Sequence, residues 1–152
     1  MMKVYVASSW RNERQPEVVQ AIRAAGHQVY DFRNPNEGNR EPDQGFRWSD
    51  IDPDWQSWSP LQFVDALDHP LAHDGYVRDF EALESADAVV LVMPCGRSAH
   101  LELGFGVGMS KLSIILLSDG EPELMYKMVP NLVTSVEEVV IALDNYRKDI
   151  NP

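Results

Sequence analysis

Cysteine is almost absent from this sequence, and basic residues are scarce. Cys95 is the only cysteine, so an intramolecular disulfide is impossible and a cysteine-based zinc site is excluded. The 13 Lys and Arg residues are outnumbered by 24 Asp and Glu residues, which gives a net charge of −11. Because such an acidic surface repels phosphate backbones and anionic lipids, we expect no nucleic acid polymer and no membrane as a partner.

Long hydrophobic runs are also missing. No apolar run reaches the roughly 18–20 residues that a membrane helix needs, and the first residues turn polar too soon for a signal peptide. Hydrophobic residues are 44% and charged residues 24% of the 152 positions, which is ordinary for a globular protein. We therefore expect a single domain over residues 1–152, located in the cytoplasm.

Predicted strands and helices alternate along the chain. Short β-branched and apolar runs predict strands at residues 3–8, 27–32, 87–93, 112–117 and 131–134. Helical periodicity and capping signals predict helices at 16–25, 61–67, 75–85, 98–110, 121–128 and 135–147. This alternation predicts a three-layer α/β sandwich around a parallel sheet. Five strands favour the flavodoxin-like order 2-1-3-4-5, with its switch point between strands 1 and 3.

An unusual segment, residues 34–74, follows the second predicted strand. It contains Trp48, Trp55 and Trp58, several prolines and many acids. A loop this long inside a compact domain is usually functional or disordered, and its aromatic residues argue against disorder. Two interpretations stay open: a lid or pocket wall, or a surface excursion with a small core of its own.

Ligands of doubly wound sheets bind at the switch point, beyond the carboxyl ends of the strands. The predicted site is therefore built from the loops after strands 1 and 3, which contribute Ser8, Ser9, Trp10, Arg11, Gly96, Arg97 and Ser98. Hydroxyls, an arginine and the first amides of a helix suit an anion, although both arginines could also be ordinary surface residues. The histidines show no metal-ligand spacing, so we expect neither a metal nor a cofactor.

Glu102 is the only charged residue between positions 101 and 109. Ser98 and Glu102 lie one turn apart on one face of the predicted helix, which starts at the mouth of the crevice. Burial would raise the pKa of this carboxyl group and the helix dipole would lower it. Glu102 is thus a candidate site residue, or a glutamate favoured only by the dipole. The three glycines that follow destabilise this helix, so close packing on the sheet, on a partner helix or on a ligand should compensate. We predict a packing role for Gly104 and Gly108, which share a face.

These residues resemble the nucleoside 2-deoxyribosyltransferase superfamily. Residues 4–10, Val-Tyr-Val-Ala-Ser-Ser-Trp, are similar to its opening strand and loop. Asp79, residues 86–90 (Ala-Asp-Ala-Val-Val) and residues 98–104 (Ser-Ala-His-Leu-Glu-Leu-Gly) are similar to its second half. The resemblance implies a flavodoxin-like fold, a homo-oligomer and cleavage of N-glycosidic bonds. It also implies Glu102 as the nucleophile at the sugar C1′, Tyr5 as the tyrosine beside it, and Asp79 as the residue that holds or protonates the base.

The chain departs from this family at two places. Gly96 occupies the position where the transferases carry a sugar-binding acid and the nucleotide hydrolases a serine, and residues 34–74 have no matching segment. The expected substrate is a small nucleoside or nucleoside 5′-monophosphate. Ser9, Arg11, Arg97 and Ser98 would hold a phosphate, and tryptophans of the insert such as Trp48 could stack on the base.

Two other functions stay open at this point. The first is a TIR-like NAD hydrolase or signalling-nucleotide enzyme that uses the same glutamate. The second is a non-catalytic module that senses a nucleotide or binds a protein.

Overall fold

The computed structural model describes residues 1–35 and 45–150, so residues 36–44 of the predicted insert lie outside the described residues. The sheet contains β1 (Lys3–Ala7), β2 (Gln28–Asp31), β3 (Ala88–Val92), β4 (Leu112–Leu116) and β5 (Asn131–Val133). Its order is β2-β1-β3-β4-β5, and every pair of neighbouring strands is parallel. The predicted flavodoxin-like order is confirmed.

The α-helices are α1 (Gln15–Ala24), α2 (Pro60–Leu67), α3 (Pro70–Ser85), α4 (Arg97–Gly108) and α5 (Val136–Ile150). Three 3-10 turns, Trp48–Asp50, Trp55–Ser57 and Leu124–Met128, complete the described elements; the last is called the 124–128 turn below. None of the described helices is long and apolar enough to span a membrane.

The chain divides into two compact units. The first unit comprises residues 1–31 and the chain from Ser85 onward, and the second comprises Phe32–Glu84. The first unit holds the complete sheet with α1, α4 and α5, whereas the second holds α2, nearly all of α3 and the described part of the insert.

In the first unit, alternate residues of the strands face opposite layers of helices. Val4 and Val6 of β1 belong to a buried cluster that includes Ile22 of α1 and Leu143 of α5. Every residue of β3 and β4 is buried, as expected for central strands of a sheet that is covered on both faces. The continuous apolar runs in the sequence therefore identified these two strands correctly.

Local signals in the sequence placed the ends of several helices correctly. Pro16 lies in the first turn of α1, where its missing N–H leaves no helical hydrogen bond unmade. Gly26 follows α1 with a φ of +85°, and its N–H donates to the carbonyl of Arg23 at 2.9 Å. Before α5, Ser135 and Glu138 form the predicted capping box through two 3.2 Å hydrogen bonds.

Two predicted helices differ from the structure. The helix predicted at 75–85 begins five residues earlier, at Pro70, because a proline is well suited to the first turn of a helix. The helix predicted at 121–128 is a 3-10 turn that begins only at Leu124. Pro122 disfavours helical geometry at the residue before it, which shortens this element from its amino end.

Gly104 and Gly108 do not pack on the sheet, and their predicted packing on a partner helix or a ligand stays a prediction. Among the described residues, a Cβ atom at either position would meet nothing within 4 Å. Gly106 is the glycine that packs on the sheet, since a Cβ there would lie 2.7 Å from Cγ2 of Val89. Helical spacing correctly groups Gly104 with Gly108, but their shared face points away from the sheet.

The second unit has an aromatic core of its own. The ring of Trp48 packs edge-on against Phe46, Trp58 and Phe63, with centroids 4.8, 5.8 and 5.6 Å away. Trp58 Nε1 donates a 2.6 Å hydrogen bond to the carboxylate of Asp52. These three aromatic side chains thus pack around Trp48. Its role as a lid or pocket wall remains a prediction.

Candidate functional site

The loops after β1 and β3 are joined by hydrogen bonds at the switch point. Ser8 Oγ donates to the carbonyl of Val92 at 2.9 Å. Asn12 Nδ2 donates to the carbonyls of Val92 and Pro94 at 3.0 and 3.1 Å. The sheet order places β1 directly beside β3, so the two loops that the sequence singled out meet along one edge.

Asn12 is a site-forming residue that the sequence analysis missed. Its side chain is buried, and Oδ1 accepts a 2.9 Å hydrogen bond from the amide of Arg14. Its own amide donates to the carbonyl of Ser9 at 3.0 Å. An asparagine between a strand and a helix predicts only a local turn. Its bond to a carbonyl 80 residues away becomes visible only in the folded chain.

The residues predicted to bind an anion line the surface of these two loops. Ser8, Ser9 and Trp10 are half-buried, whereas the other four residues are exposed; these are Arg11, Gly96, Arg97 and Ser98. Ser9 Oγ accepts a hydrogen bond from the amide of Arg11 at 3.2 Å. The first amides of α4 have no carbonyl partner within the helix. Among the described residues, a Cβ atom at Gly96, the residue before α4, would meet nothing within 4 Å, so no described side chain covers this helix end at Gly96.

Tyr5 and α4 lie on the same face of the sheet. Tyr5 pairs with Val89 in the register of β1 and β3, and side chains of paired residues point to the same face. Gly106 of α4 packs directly on Val89, so α4 covers the face that carries Tyr5. Glu102 precedes Gly106 by one helical turn and shares its side of α4. The carboxylate therefore lies towards the carboxyl ends of the strands, on the layer that contains Tyr5.

The side chain of Tyr5 is fully buried and that of Glu102 is partly buried. Tyr5 is only 1% exposed, and its ring stacks on Tyr30 with centroids 5.3 Å apart. Glu102 is half-buried. Burial raises the pKa of the Cys95 thiol to about 11, and the negative charge of Glu102 adds to this effect. The carboxylate is therefore close enough to act electrostatically on the loop between β3 and α4.

His100 and Tyr126 form a contact pair beside the loop between β3 and α4. His100 Nδ1 lies 2.8 Å from the carbonyl of Gly96, and Nε2 lies 2.7 Å from the hydroxyl of Tyr126. The two rings are stacked with centroids 5.8 Å apart. Because a carbonyl oxygen only accepts, Nδ1 donates to it; with the ring N–H placed there, Nε2 is left to accept from the hydroxyl of Tyr126. Burial, followed by the charges of Cys95 and Glu123, raises the pKa of Tyr126.

Two of the predicted site residues belong to the second unit. Asp79 is half-buried on α3, and the ring of Trp48 is engaged in the aromatic core of that unit. Their participation in one site with Glu102 remains a prediction.

The site of the first unit is suited to binding an anion beside a carboxylate. An open helix end with exposed hydroxyl and guanidinium groups can hold a phosphate, and a half-buried carboxylate one turn further on can act as a nucleophile. Within residues 1–35 and 45–150, no three His, Cys, Asp or Glu side chains are grouped so that they could hold a metal ion.

Comparison with known proteins gives matches among solved structures only. No protein-family model and no curated protein matches the sequence. A 2-deoxyribosyltransferase from Bacillus psychrosaccharolyticus matches with a TM-score of 0.60 and 20% identity, over 91% of this chain and 90% of that one. The CMP N-glycosidase BcmB of Clostridium botulinum matches with a TM-score of 0.50 and 17% identity, over 95% of this chain and 98% of that one. At these identities the likeness is one of fold: the chain has the same fold as this deoxyribosyltransferase and this N-glycosidase.

Proposed function

We propose that this protein is an enzyme that cleaves or transfers the N-glycosidic bond of a nucleoside or nucleoside 5′-monophosphate, with Glu102 as the nucleophile. One observation carries the proposal. Glu102 lies one turn before the glycine that packs α4 on the sheet, on the layer of Tyr5 and beside the joined loops of the switch point. The fold shared with a deoxyribosyltransferase and a CMP N-glycosidase supports the same reaction class.

In the proposed reaction, a carboxylate oxygen of Glu102 attacks C1′ as the bond between C1′ and the base nitrogen breaks. The base leaves with the bonding electron pair and takes up one proton, for which Asp79 is the candidate donor. The product is a glycosyl ester of Glu102, reached through an oxocarbenium-like transition state. Water, or the nitrogen of a second base, then attacks C1′, loses a proton and releases the carboxylate.

The other predicted residues have supporting roles in this proposal. Tyr5 orients the carboxylate from its fixed position in β1. Ser9, Arg11, Arg97 and Ser98 bind the 5′-phosphate where one is present, next to Ser8, Trp10 and Gly96 in the same two loops. Trp48 of the second unit is the proposed stacking surface for the base.

We also propose that the active form is a homo-oligomer in the cytoplasm. Leu101 on the outer side of α4 is 77% exposed, and Gly104 and Gly108 leave open space on this helix, which suits contact with a second copy. A single free cysteine is typical of proteins kept in a reducing compartment.

The experiment that tests the reaction is incubation with a panel of nucleosides, nucleoside 5′-monophosphates and NAD, with chromatographic detection of the released base. We expect release from at least one nucleoside or nucleotide, and loss of this activity in Glu102→Gln. Glu137→Gln is the matched control, because it removes an exposed carboxylate from the first turn of α5. Wild-type turnover by Glu102→Gln would refute the mechanism, and cleavage of NAD alone would refute the substrate class.

A further inference from the structure

The loop between β3 and α4, residues 93–96, is held from two sides. On one side, Asn12 binds the carbonyls of Val92 and Pro94. On the other side, the hydroxyl of Tyr126 reaches both ends of the loop. It lies 3.6 Å from Sδ of Met93, where the loop begins, and 2.7 Å from Nε2 of His100, just beyond its end.

His100 passes this restraint on to the loop itself. Its Nδ1 donates to the carbonyl of Gly96 at 2.8 Å and lies 3.7 Å from Sγ of Cys95. The hydroxyl of Tyr126 therefore holds the imidazole ring of His100 at Nε2, and the same ring holds the carbonyl of Gly96, the last residue of the loop, at Nδ1. The 124–128 turn, which follows β4, is thereby attached to the first turn of α4.

We propose that His100 and Tyr126 form a positioning pair for the substrate site. Resting on the function proposed above, the pair sets the conformation of Gly96, Arg97 and Ser98, and thereby the affinity for the phosphate and sugar of the substrate. Neither residue takes part in bond cleavage. Glu102 is held separately, by the contact of Gly106 with Val89 one turn later, so the pair acts on substrate binding and leaves the chemical step unaffected.

The test compares Tyr126→Phe with wild type on the best substrate of the panel. The substitution keeps the stacked ring and removes only the hydroxyl. Loss of one neutral hydrogen bond predicts a rise in KM of about three- to tenfold, with kcat changed less than about twofold. Tyr146→Phe is the control, because Tyr146 packs against the core on the face of the sheet opposite to α4; its KM should equal that of wild type.

A spectroscopic measurement tests the same pair without any turnover. Long-range ¹H–¹⁵N correlation spectra should show His100 protonated at Nδ1 in wild type, and the ¹⁵N chemical shift of its Nε2 should change in Tyr126→Phe because that nitrogen loses its hydrogen-bond donor. The His100→Gln variant assigns the signal among the four histidines. A tautomer protonated at Nε2 in wild type would overturn the inference.

The proposed function and the positioning pair fail in different experiments. If Glu102→Gln retains turnover, the proposed mechanism is wrong. The ratio of the KM of Tyr126→Phe to that of wild type still tests the positioning role of His100 and Tyr126. If the whole panel is inert, the proposed function is wrong, and calorimetric titration with CMP and AMP replaces KM. An unchanged KM or dissociation constant in Tyr126→Phe, or no binding of either nucleotide, would overturn the positioning role.

Discussion

Replacing Gly106 by alanine tests the contact that places α4, and with it Glu102, on the sheet. The new Cβ would lie 2.7 Å from Cγ2 and 3.2 Å from Cβ of Val89. Val89 is fully buried in the central strand β3, and a β-branched side chain has little rotamer freedom. Relief of the clash therefore requires α4 to move away from the sheet.

The expected size of the effect follows from two opposing contributions. An extra methyl group in a packed core costs about 1–3 kcal/mol, whereas alanine is better than glycine inside a helix by about 0.8–1.0 kcal/mol. Gly106→Ala should therefore lower the free energy of unfolding by up to about 2 kcal/mol. Gly104→Ala and Gly108→Ala should gain the helix propensity of alanine without a clash in the described part of the chain, because a Cβ atom at either position would meet nothing within 4 Å beyond the helix's own backbone.

The prediction is tested by comparing the free energies of unfolding of the three glycine-to-alanine variants. Urea unfolding should separate Gly106→Ala from Gly108→Ala by about 1–3 kcal/mol, which corresponds to a difference in Tm of about 2–12 °C for a chain of this size. The catalytic rate should also fall most in Gly106→Ala, because displacement of α4 misplaces Glu102. If Gly106→Ala proved as stable as Gly108→Ala, the close packing of α4 on β3 would be refuted.

Three further predictions concern groups whose surroundings the structure defines. Because the pKa of Cys95 is raised to about 11, iodoacetamide at pH 8 should alkylate it about 100-fold more slowly than a free cysteine. Glu102→Gln should increase that rate by removing a negative charge, and an unchanged rate would contradict their proximity. Burial lowers the pKa of His27, so the unfolded chain binds its proton first and stability should fall as the pH drops below about 6.5. His27→Leu should flatten the dependence of unfolding free energy on pH between 5 and 7, and a slope equal to that of wild type would count against this account. Asn12→Ala removes one of the two side-chain donors to the carbonyl of Val92 and the donor to that of Pro94, and it should cost about 1–3 kcal/mol in urea unfolding; a cost below the measurement error would show that the loops are held by other contacts.

Much of the fold follows from local signals in the sequence. The apolar runs of β3 and β4 identify strands buried on both faces, since strands covered by helices on both sides carry nearly continuous apolar residues. Pro16 marks the start of α1 because proline has a fixed φ that suits the first turn of a helix. Gly26 marks the end of α1 because glycine readily adopts a positive φ. These effects act within a few residues, so they can be read without knowing the rest of the chain.

The site could be predicted only in part. The strand order brings the loops after β1 and β3 together, and the prediction of that order is confirmed. Asn12 was missed because its partners lie about 80 positions away. The pair of His100 and Tyr126 was missed for the same reason, since its members come from elements that follow different strands.

The sequence by itself determined the alternation of strands and helices, the absence of disulfides and the position of one carboxylate in an apolar helix. Only the tertiary structure decided which side of that helix meets the sheet. Helical spacing tells which residues share a face, and it groups Gly104 with Gly108 as readily as Glu102 with Gly106. The choice between the two faces depends on close packing against β3, where Gly106 alone of the three glycines meets a neighbouring side chain.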